Sequence, residues 1–377
     1  MKSNKEEGMG TARQKRKMPG MRHAWANATR YLFVRAITVT LTVLIGIYGA
    51  IWLTNLGGIS DEWHKNEIAY VARGSYRQTS WRVTPEERAA AMQILVDEAI
   101  EASGINRPFV LRSFEYFRNT LSLSLGETSF RDRQGSHAVI DVLKERLPLT
   151  LLLFGTANLI SMAGGLFLAL RATRNYGGVL DRAIALLAPL LSAPAWFHGI
   201  LLILFFAILA RLLPFGGLIS PPIPETTFSY ILSVLKHMIL PVSACVLGTM
   251  PYAAFSNRAL FLIHASDDYV QMGHAKGLPP RRLERNYILR PNLPPILASY
   301  IDIVLISWQG VILVEGVFAW PGLGTLLMEA ILREEIPMVM GTITLFALVF
   351  GASVLFLDIL YVLADPRVTF EARRGVA

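Results

Sequence analysis

The sequence predicts an all-α protein: a polytopic bundle of six transmembrane helices, with a helical segment inserted between the first and second spans. Hydrophobic residues make up 53% of the 377 residues, and the mean hydropathy is +0.42. Several apolar runs reach the roughly 20 residues that a helix needs to cross a bilayer core of about 30 Å. The net charge of +8 fits the Lys and Arg excess of cytoplasmic membrane-protein loops better than it fits nucleic-acid binding.

The first 35 residues are basic, which predicts a cytoplasmic tail at 1–35 ahead of a first span at 36–56. The apolar run that follows this tail is longer than the core of a typical cleavable signal, so we interpret it as an uncleaved span. The single cysteine, Cys245, allows no intrachain disulfide.

Residues 57–147 form a long polar segment that the first span would place outside the cytoplasm. Thr84 can cap a helix that has Pro85 at its first position. Apolar residues then recur at helical spacing until Gly104, and a second amphipathic run follows at 110–121. We interpret both helices as lying on the outer surface of the bundle or at the membrane interface. The alternative is that they only cap the bundle.

Five further apolar runs predict a core at 148–364, followed by a cytoplasmic tail at 365–377. The runs occupy residues 149–170, 183–210, about 231–255, 296–314 and 338–364. Six spans put both termini on one side, and Lys and Arg identify that side as cytoplasmic, with nine in the inner loops and three in the short outer loops. Prolines inside two of the runs predict kinks, and these are Pro189, Pro194, Pro241 and Pro251.

The sequence does not predict an enzyme. It contains no G-x-x-x-x-G-K-[ST] phosphate loop, and no His or Cys pair has metal-ligand spacing on a helix. Ser353 lies in the last apolar run, but no His follows it to act as a base, which argues against an intramembrane serine protease. Acidic residues at membrane depth are functional candidates, and they keep an ion-coupled secondary transporter open as the alternative function. They are Asp302, Glu315 and Asp358.

The most distinctive polar stretch is the loop at 258–295, whose second part is basic and rich in Gly and Pro. Asp267 and Asp268 can cap a short helix that begins near Tyr269. Such a helix, held between two spans, would move them if a partner docked on it changed its shape.

Small residues are spaced along this short helix at Gly273, Ala275 and Gly277. They would let one face of the helix enter a groove on a partner, and Gly277 suits the position just after the helix end. The alternative is a plain basic loop that touches lipid head groups, but lipid contact does not need the pattern of small residues.

The residues of this helix resemble the cytoplasmic coupling motif of ABC importer permeases, and most closely that of the dipeptide, oligopeptide and nickel permeases. The matching residues are Asp268, Tyr269, Val270, Ala275, Lys276, Gly277 and Leu278. Gly273 stands where the family has Ala, and Tyr287 stands where it usually has His.

Six other motifs are similar to those of the same family. Residues 314–324 (VEGVFAWPGLG) resemble its E-x-x-F-x-W-P-G-L-G motif, and residues 358–367 (DILYVLADPR) resemble its D-x-x-Y-x-x-x-D-P-R end. Shorter matches occur at 146–150 (RLPLT), 213–217 (LPFGG), 104–108 (GINRP) and 125–129 (LGETS). The resemblance covers about residues 30 to 368.

The resemblance implies a membrane-spanning permease subunit of an ABC importer, which forms the pathway for peptides or a related small solute. It also implies two groups of site residues. The residues expected to couple to the ATPase are Asp268, Tyr269, Gly273, Ala275, Lys276, Gly277 and Leu278. The residues expected to have structural or gating roles are Glu315, Trp320, Pro321, Gly322, Gly324, Asp358, Asp365, Pro366 and Arg367.

The resemblance further implies the partners of the chain. These are a second homologous permease subunit, two ABC ATPase subunits, an extracytoplasmic solute-binding protein and membrane lipid, with no nucleic acid. ATP would be bound by the ATPase subunits, so no cofactor, metal or catalytic residue is expected on this chain. The expected location is the plasma (inner) membrane, with several spans and both termini in the cytoplasm.

Overall fold

The computed structural model describes residues 21–55, 61–62, 64–66, 68–70 and 85–364. Regular structure in these ranges is helical, apart from one isolated antiparallel bridge between Glu127 and Ala138, and this agrees with the predicted all-α class. The helices are α1 (Met21–Asn55), α2 (Pro85–Ala102), α3 (Phe109–Leu121), α4 (Val139–Arg174), α5 (Val179–Leu190), α6 (Ala195–Leu202), α7 (Thr227–Ala265), α8 (Asp268–Ala275), α9 (Pro280–Leu283), α10 (Arg290–Gln309), α11 (Val311–Val317), α12 (Leu323–Leu332) and α13 (Ile336–Ala364). Two π-helical segments, Ile203–Leu209 and Glu284–Leu289, continue α6 and α9.

Within the described ranges, four helices are long and apolar enough to cross a membrane: α1 over Ala28–Asn55, α4, α7, and α13 over Ile336–Leu363. A fifth candidate consists of α5 with α6 and its π-helical continuation, bent by 102° at the break between them. This break lies where Pro189 and Pro194 remove backbone N–H donors, so the predicted kink in that run is confirmed. Helix α7, in contrast, continues through Pro241 and Pro251.

The predicted span at 296–314 is divided in the structure. Helix α10 ends at Gln309, and Gly310 is both the C-cap of α10 and the N-cap of α11. The predicted run is therefore helical with an interruption at Gly310, a residue type that is about 1 kcal/mol less favourable than Ala inside a helix. Length and hydropathy identify four or five candidate spans among the described residues.

Several helices extend past the ends predicted from hydropathy. Helix α1 begins within the predicted tail at 1–35, α4 begins within the segment at 57–147, and α7 continues into the predicted loop at 258–295. The 36 residues of α4 are about 54 Å long at 1.5 Å per residue. Because this length exceeds a bilayer core of about 30 Å, part of α4 projects beyond the membrane.

Small residues allow α4 and α7 to pack closely at the centre of the bundle. A Cβ added at Gly165 would lie 2.9 Å from the Cβ of Ala253, so this crossing has room only for glycine. The Ser161 and Thr249 hydroxyls form a hydrogen bond of 2.7 Å across the same interface. Both contacts are typical of helix packing in lipid.

The two helices predicted in the outer segment are present. Helix α2 begins at Pro85, and Gly104, with φ +70°, follows its end. Helix α3 packs on α1 through aromatic rings, and the ring centroids of Tyr48 and Phe117 are 5.4 Å apart. The segment is therefore attached to the first candidate span.

A hydrogen-bonded ion pair holds α3 to the chain that follows α1. The Arg112 guanidinium donates to Asp61 Oδ1 at 2.7 Å and to Asp61 Oδ2 at 2.8 Å. These hydrogen bonds lower the pKa of the Asp61 carboxyl below its ordinary value. The pair consequently stabilises the fold above the ordinary carboxyl pKa of about 4, and this contribution is lost as the pH falls through the lower folded-state pKa.

We expect amide hydrogen exchange of α3, corrected for the intrinsic rate at each pH, to accelerate as the pH falls below about 4. In Asp61→Asn the exchange should already be faster at pH 7, and it should lack this acid step because no carboxylate remains to be protonated. Exchange at the Ser161 turn of α4 serves as the internal control. If exchange in Asp61→Asn accelerated by the same factor below about pH 4, the pH dependence could not be due to the Arg112–Asp61 pair.

Candidate coupling helix and Glu315 junction

The predicted coupling helix is present as α8, and its end has the geometry that Gly277 predicts. The Gly277 N–H donates to the His274 carbonyl at 2.9 Å, and the Leu278 N–H donates to the Gly273 carbonyl at 3.2 Å. Gly277 has φ +71°. These are the two hydrogen bonds of a Schellman motif, which favours Gly at this position.

The inner face of α8 rests on the helical segment that follows it. Val270 and Leu283 are almost completely buried, at 1% and 2% exposure. The rings of Tyr269 and Tyr287 stack with their centroids 6.4 Å apart. Partial burial and the neighbouring Asp267 carboxylate raise the pKa of the Tyr269 phenol, so this side chain is neutral at physiological pH.

Two details predicted for this helix are wrong. Asp267 is the N-cap residue, as predicted, but its side chain accepts no hydrogen bond from the helix. Gly273 does not contribute to an outward face. It is buried, and a Cβ added there would overlap the Leu283 side chain.

The outward face of α8 is formed by other residues, which are exposed. Met272 is 58% exposed, and Ala275, Lys276 and Gly277 are also exposed. A Cβ added at Gly277 would meet no atom of the described residues within 4 Å. The structure therefore brings together all seven predicted coupling residues, with Gly273 on the inner side.

Two connections can transmit a displacement of α8 to the spans. Helix α9, the π-helical segment and α10 follow one another without a break from Pro280 to Gln309, so they form one continuous helical stretch. The Arg174 Nε at the end of α4 donates to Glu284 Oε2 at 2.6 Å. Helix α8 is thus joined to α10 through the backbone, and the π-helical segment between them is joined to α4 through the Arg174–Glu284 ion pair.

A second set of motif residues meets around Glu315, which is completely buried. We call this set the Glu315 junction: Arg146, Leu149 and Thr150 from α4, Glu315 from α11, and residues 320–325. Glu315 Oε1 accepts a hydrogen bond of 2.7 Å from the Thr150 hydroxyl. Glu315 Oε2 accepts from the backbone N–H groups of Gly324 at 2.7 Å and Thr325 at 3.2 Å.

Further hydrogen bonds connect the two motifs of the Glu315 junction. The Trp320 indole N–H donates to the Leu149 carbonyl at 3.1 Å. The Leu323 N–H donates to the Thr150 hydroxyl at 2.8 Å, and Arg146 Nη1 donates to the Pro321 carbonyl at 3.3 Å. Two motifs that lie more than 160 residues apart in the sequence therefore build one polar site.

Close packing explains both glycines of the W-P-G-L-G motif. A Cβ at Gly322 would overlap the Glu315 carboxylate, and a Cβ at Gly324 would lie 2.8 Å from the Ile312 Cα. Gly217, which belongs to the LPFGG match, donates its backbone N–H to the Phe318 carbonyl at 2.8 Å. That match therefore packs against the same junction.

Asp358 lies elsewhere in the bundle. It is 2% exposed and accepts a hydrogen bond of 2.7 Å from Arg35 Nε on α1. The other predicted residues of its motif, Asp365, Pro366 and Arg367, lie outside the described residues.

With this geometry established, the comparison with known proteins identifies the family. Residues 161–370 match the family described as the binding-protein-dependent transport system inner membrane component. This match covers more than half of the chain. The chain belongs to this family. It is a membrane permease subunit of an ABC importer, and the ATPase resides on other subunits.

Individual relatives agree with the family match. The permease is 31% identical over 292 residues to the di/tripeptide transport system permease protein DppB of Pseudomonas aeruginosa, covering 73% of this chain and 85% of the relative. It is 28% identical over 270 residues to the dipeptide transport system permease protein DppB of Bacillus subtilis, with coverages of 71% and 82%. A putative peptide transport system permease protein of Brucella abortus is 29% identical over 271 residues, with the same coverages.

The permease assignment and the predicted resemblance are both confirmed, and the alternative of an ion-coupled secondary transporter loses its support. The three carboxylates that kept it open form no relay. Glu315 is held by Thr150 and backbone N–H groups, Asp358 by Arg35, while Asp302 is exposed. Sequence reasoning missed Arg35, because it assigned this residue to the tail instead of to a helix.

Proposed function

We propose that this permease transports peptides and that α8 receives the movement of an ATPase subunit. The observation that carries this proposal is the construction of α8. A Schellman motif fixes its end, its inner face is packed on Leu283, and its outer face is exposed at Met272, Ala275 and Gly277. A helix built in this way can receive a partner on one side and move α10 on the other.

The peptide substrate is proposed because the relatives named above carry peptide transport in their names. Binding-protein-dependent transport is the description of the family itself. We therefore expect an extracytoplasmic solute-binding protein, a sister permease and two ATPase subunits as partners. ATP would be bound by the ATPase subunits, and no cofactor is expected on this chain.

We further propose six spans with both termini in the cytoplasm. The third span would be the bent pair of α5 and α6, and the fifth would be α10 with α11. The basic residues of the inner loops support this orientation. The segment at 57–147 would then be extracytoplasmic, the loop at 258–295 would be cytoplasmic, and the Glu315 junction would lie at the outer end of the bundle in a structural or gating role.

The substrate is tested by uptake into proteoliposomes that contain the complete transporter, with its sister permease, ATPases and binding protein. We expect ATP-dependent accumulation of labelled di- and tripeptides, with competition by unlabelled peptides and none by free amino acids, sugars or nickel. Uptake of nickel or a sugar without uptake of peptides would overturn the peptide assignment. Uptake by this chain alone, driven by an ion gradient, would overturn the ATPase coupling.

A further inference from the structure

Helix α3 has an inverted distribution of polar and apolar residues. Its inward side carries Arg112, Ser113 and Thr120, which are 7%, 0% and 7% exposed. Its outward side carries large apolar residues: Val110, Leu111, Phe114 and Leu121, which are 51%, 64%, 61% and 42% exposed. Two charged residues, Glu115 and Arg118, are exposed on the same side. A surface helix in water has the opposite arrangement, so the four large apolar residues of the outward face favour an apolar environment.

The inward polar residues have partners of their own, so the inversion is stable. Arg112 is paired with Asp61 at 2.7 Å, and the Ser113 hydroxyl is 3.0 Å from the Tyr48 hydroxyl of α1. Tyr116 and Thr120 line a cavity of about 270 Å³ that α3 shares with the ends of α1 and α13. A cavity of this size that offers polar side chains in its wall can hold water, which suits the polar side of the helix.

The contacts of α3 with α1 give the depth at which it lies. The ring of Phe114 is 5.7 Å from that of Tyr48, and the ring of Phe109 is 5.0 Å from that of Trp52. Tyr48 lies seven residues before the end of α1 at Asn55, which is about 10 Å along the helix axis. Tyr and Trp are enriched at this level of a membrane-spanning helix.

The apolar surface of α1 continues that of α3. Ile45 and Leu53 of α1 are 69% and 72% exposed, and α1 is apolar enough to span the membrane. The exposed residues of α3 lie beside the same stretch, because Phe114 contacts Tyr48 between them. Lipid that covers α1 at this level would therefore also cover α3.

We propose that α3 is an interfacial helix whose apolar face inserts among the lipid acyl chains beside α1, in the outer leaflet if the proposed orientation is correct. The exposed Arg118 would lay its aliphatic stem over the apolar face and place its guanidinium at the phosphate level. The exposed Glu115 would remain at the level of the head groups. The polar face is turned away from lipid toward the cavity. Helix α3 thus packs on the C-terminal end of α1 with its exposed face in contact with lipid.

The test uses nitroxide labels on single cysteines in the assembled transporter, reconstituted in liposomes. The background is Cys245→Ala, and labels are placed by Leu111→Cys, Phe114→Cys and Leu121→Cys. Ile45→Cys on α1 is the lipid reference, and Gln134→Cys, in an exposed loop, is the water reference. We expect the ratio of collisions with oxygen to collisions with a soluble nickel chelate to be several-fold higher at the three α3 sites than at residue 134, and close to that at residue 45.

Two results would overturn the proposal. Nickel-chelate accessibility at the α3 sites equal to that at residue 134 would mean that the face is in water. Low accessibility to both reagents, with restricted label motion, would mean that a protein partner covers it. Three label sites keep the test informative if one variant fails to fold. Peptide uptake is measured on the same liposomes, so failure of the proposed substrate is distinguished from failure of lipid insertion.

Discussion

Gly277→Trp is expected to abolish ATP-driven transport while the permease still inserts and assembles with its partners. Gly277 is exposed, and a Cβ added there meets no atom within 4 Å in the part of the chain that the structure describes, so an indole ring can be accommodated on the outer surface of the subunit. On the exposed face of α8, a ring of that size would obstruct any partner that docks there.

Gly177→Trp is the matched control for this prediction. Gly177 lies between α4 and α5, has φ +74° against +71° for Gly277, and is equally open around its Cβ. The left-handed conformation therefore costs both variants a similar amount, about 1–2 kcal/mol. We expect Gly177→Trp to retain transport, because no docking role is proposed for its loop.

The measurement is ATP-driven uptake, normalised to the amount of assembled complex. Gly277→Asn is a second variant, since Asn tolerates the left-handed region and its side chain is small; it should retain most of the uptake. Normal uptake in Gly277→Trp would contradict docking at α8. Equal losses in the Gly177 and Gly277 variants would attribute the defect to backbone strain instead of docking.

The parts of the fold that depend on local rules could be predicted from the sequence. The end of α8 follows from Gly277 because the hydrogen bonds of a Schellman motif join residues only a few positions apart. The start of α2 at Pro85 and the break near Pro194 follow from the backbone chemistry of proline. Apolar run length predicted the long helices, but not their ends, because helices continue beyond the hydrophobic core.

The side-chain partners could not be predicted in the same way. Which face of α8 is buried depends on where Leu283 lies, and the sequence pattern of small residues does not contain this information. The partner of Asp358 is Arg35, on a helix more than 300 positions away. Hydrophobic patterning identifies spans but not their neighbours, so contacts between distant helices require the tertiary structure.

The Glu315 junction is the clearest example of contacts that the sequence does not predict. The second prediction with a large expected effect concerns this junction. We expect Glu315→Ala to abolish transport and to lower the free energy of unfolding by about 3 kcal/mol, since it leaves buried donors without an acceptor. Those donors are the Thr150 hydroxyl and the N–H groups of Gly324 and Thr325. Thermal denaturation of the purified complex measures the stability change, and uptake measures the functional one.

Glu329→Ala is the matched control, because Glu329 is an exposed carboxylate on α12. We expect its free energy of unfolding to change by no more than about 0.5 kcal/mol.

A double-mutant cycle of Glu315→Gln with Thr150→Val measures the interaction between α4 and α11. If the Thr150 hydroxyl and the Glu315 carboxylate stabilise each other through their 2.7 Å hydrogen bond, the coupling energy of the cycle should be about 1–2 kcal/mol. Additive effects would mean that each residue stabilises its own helix, and the junction would then not connect the two motifs.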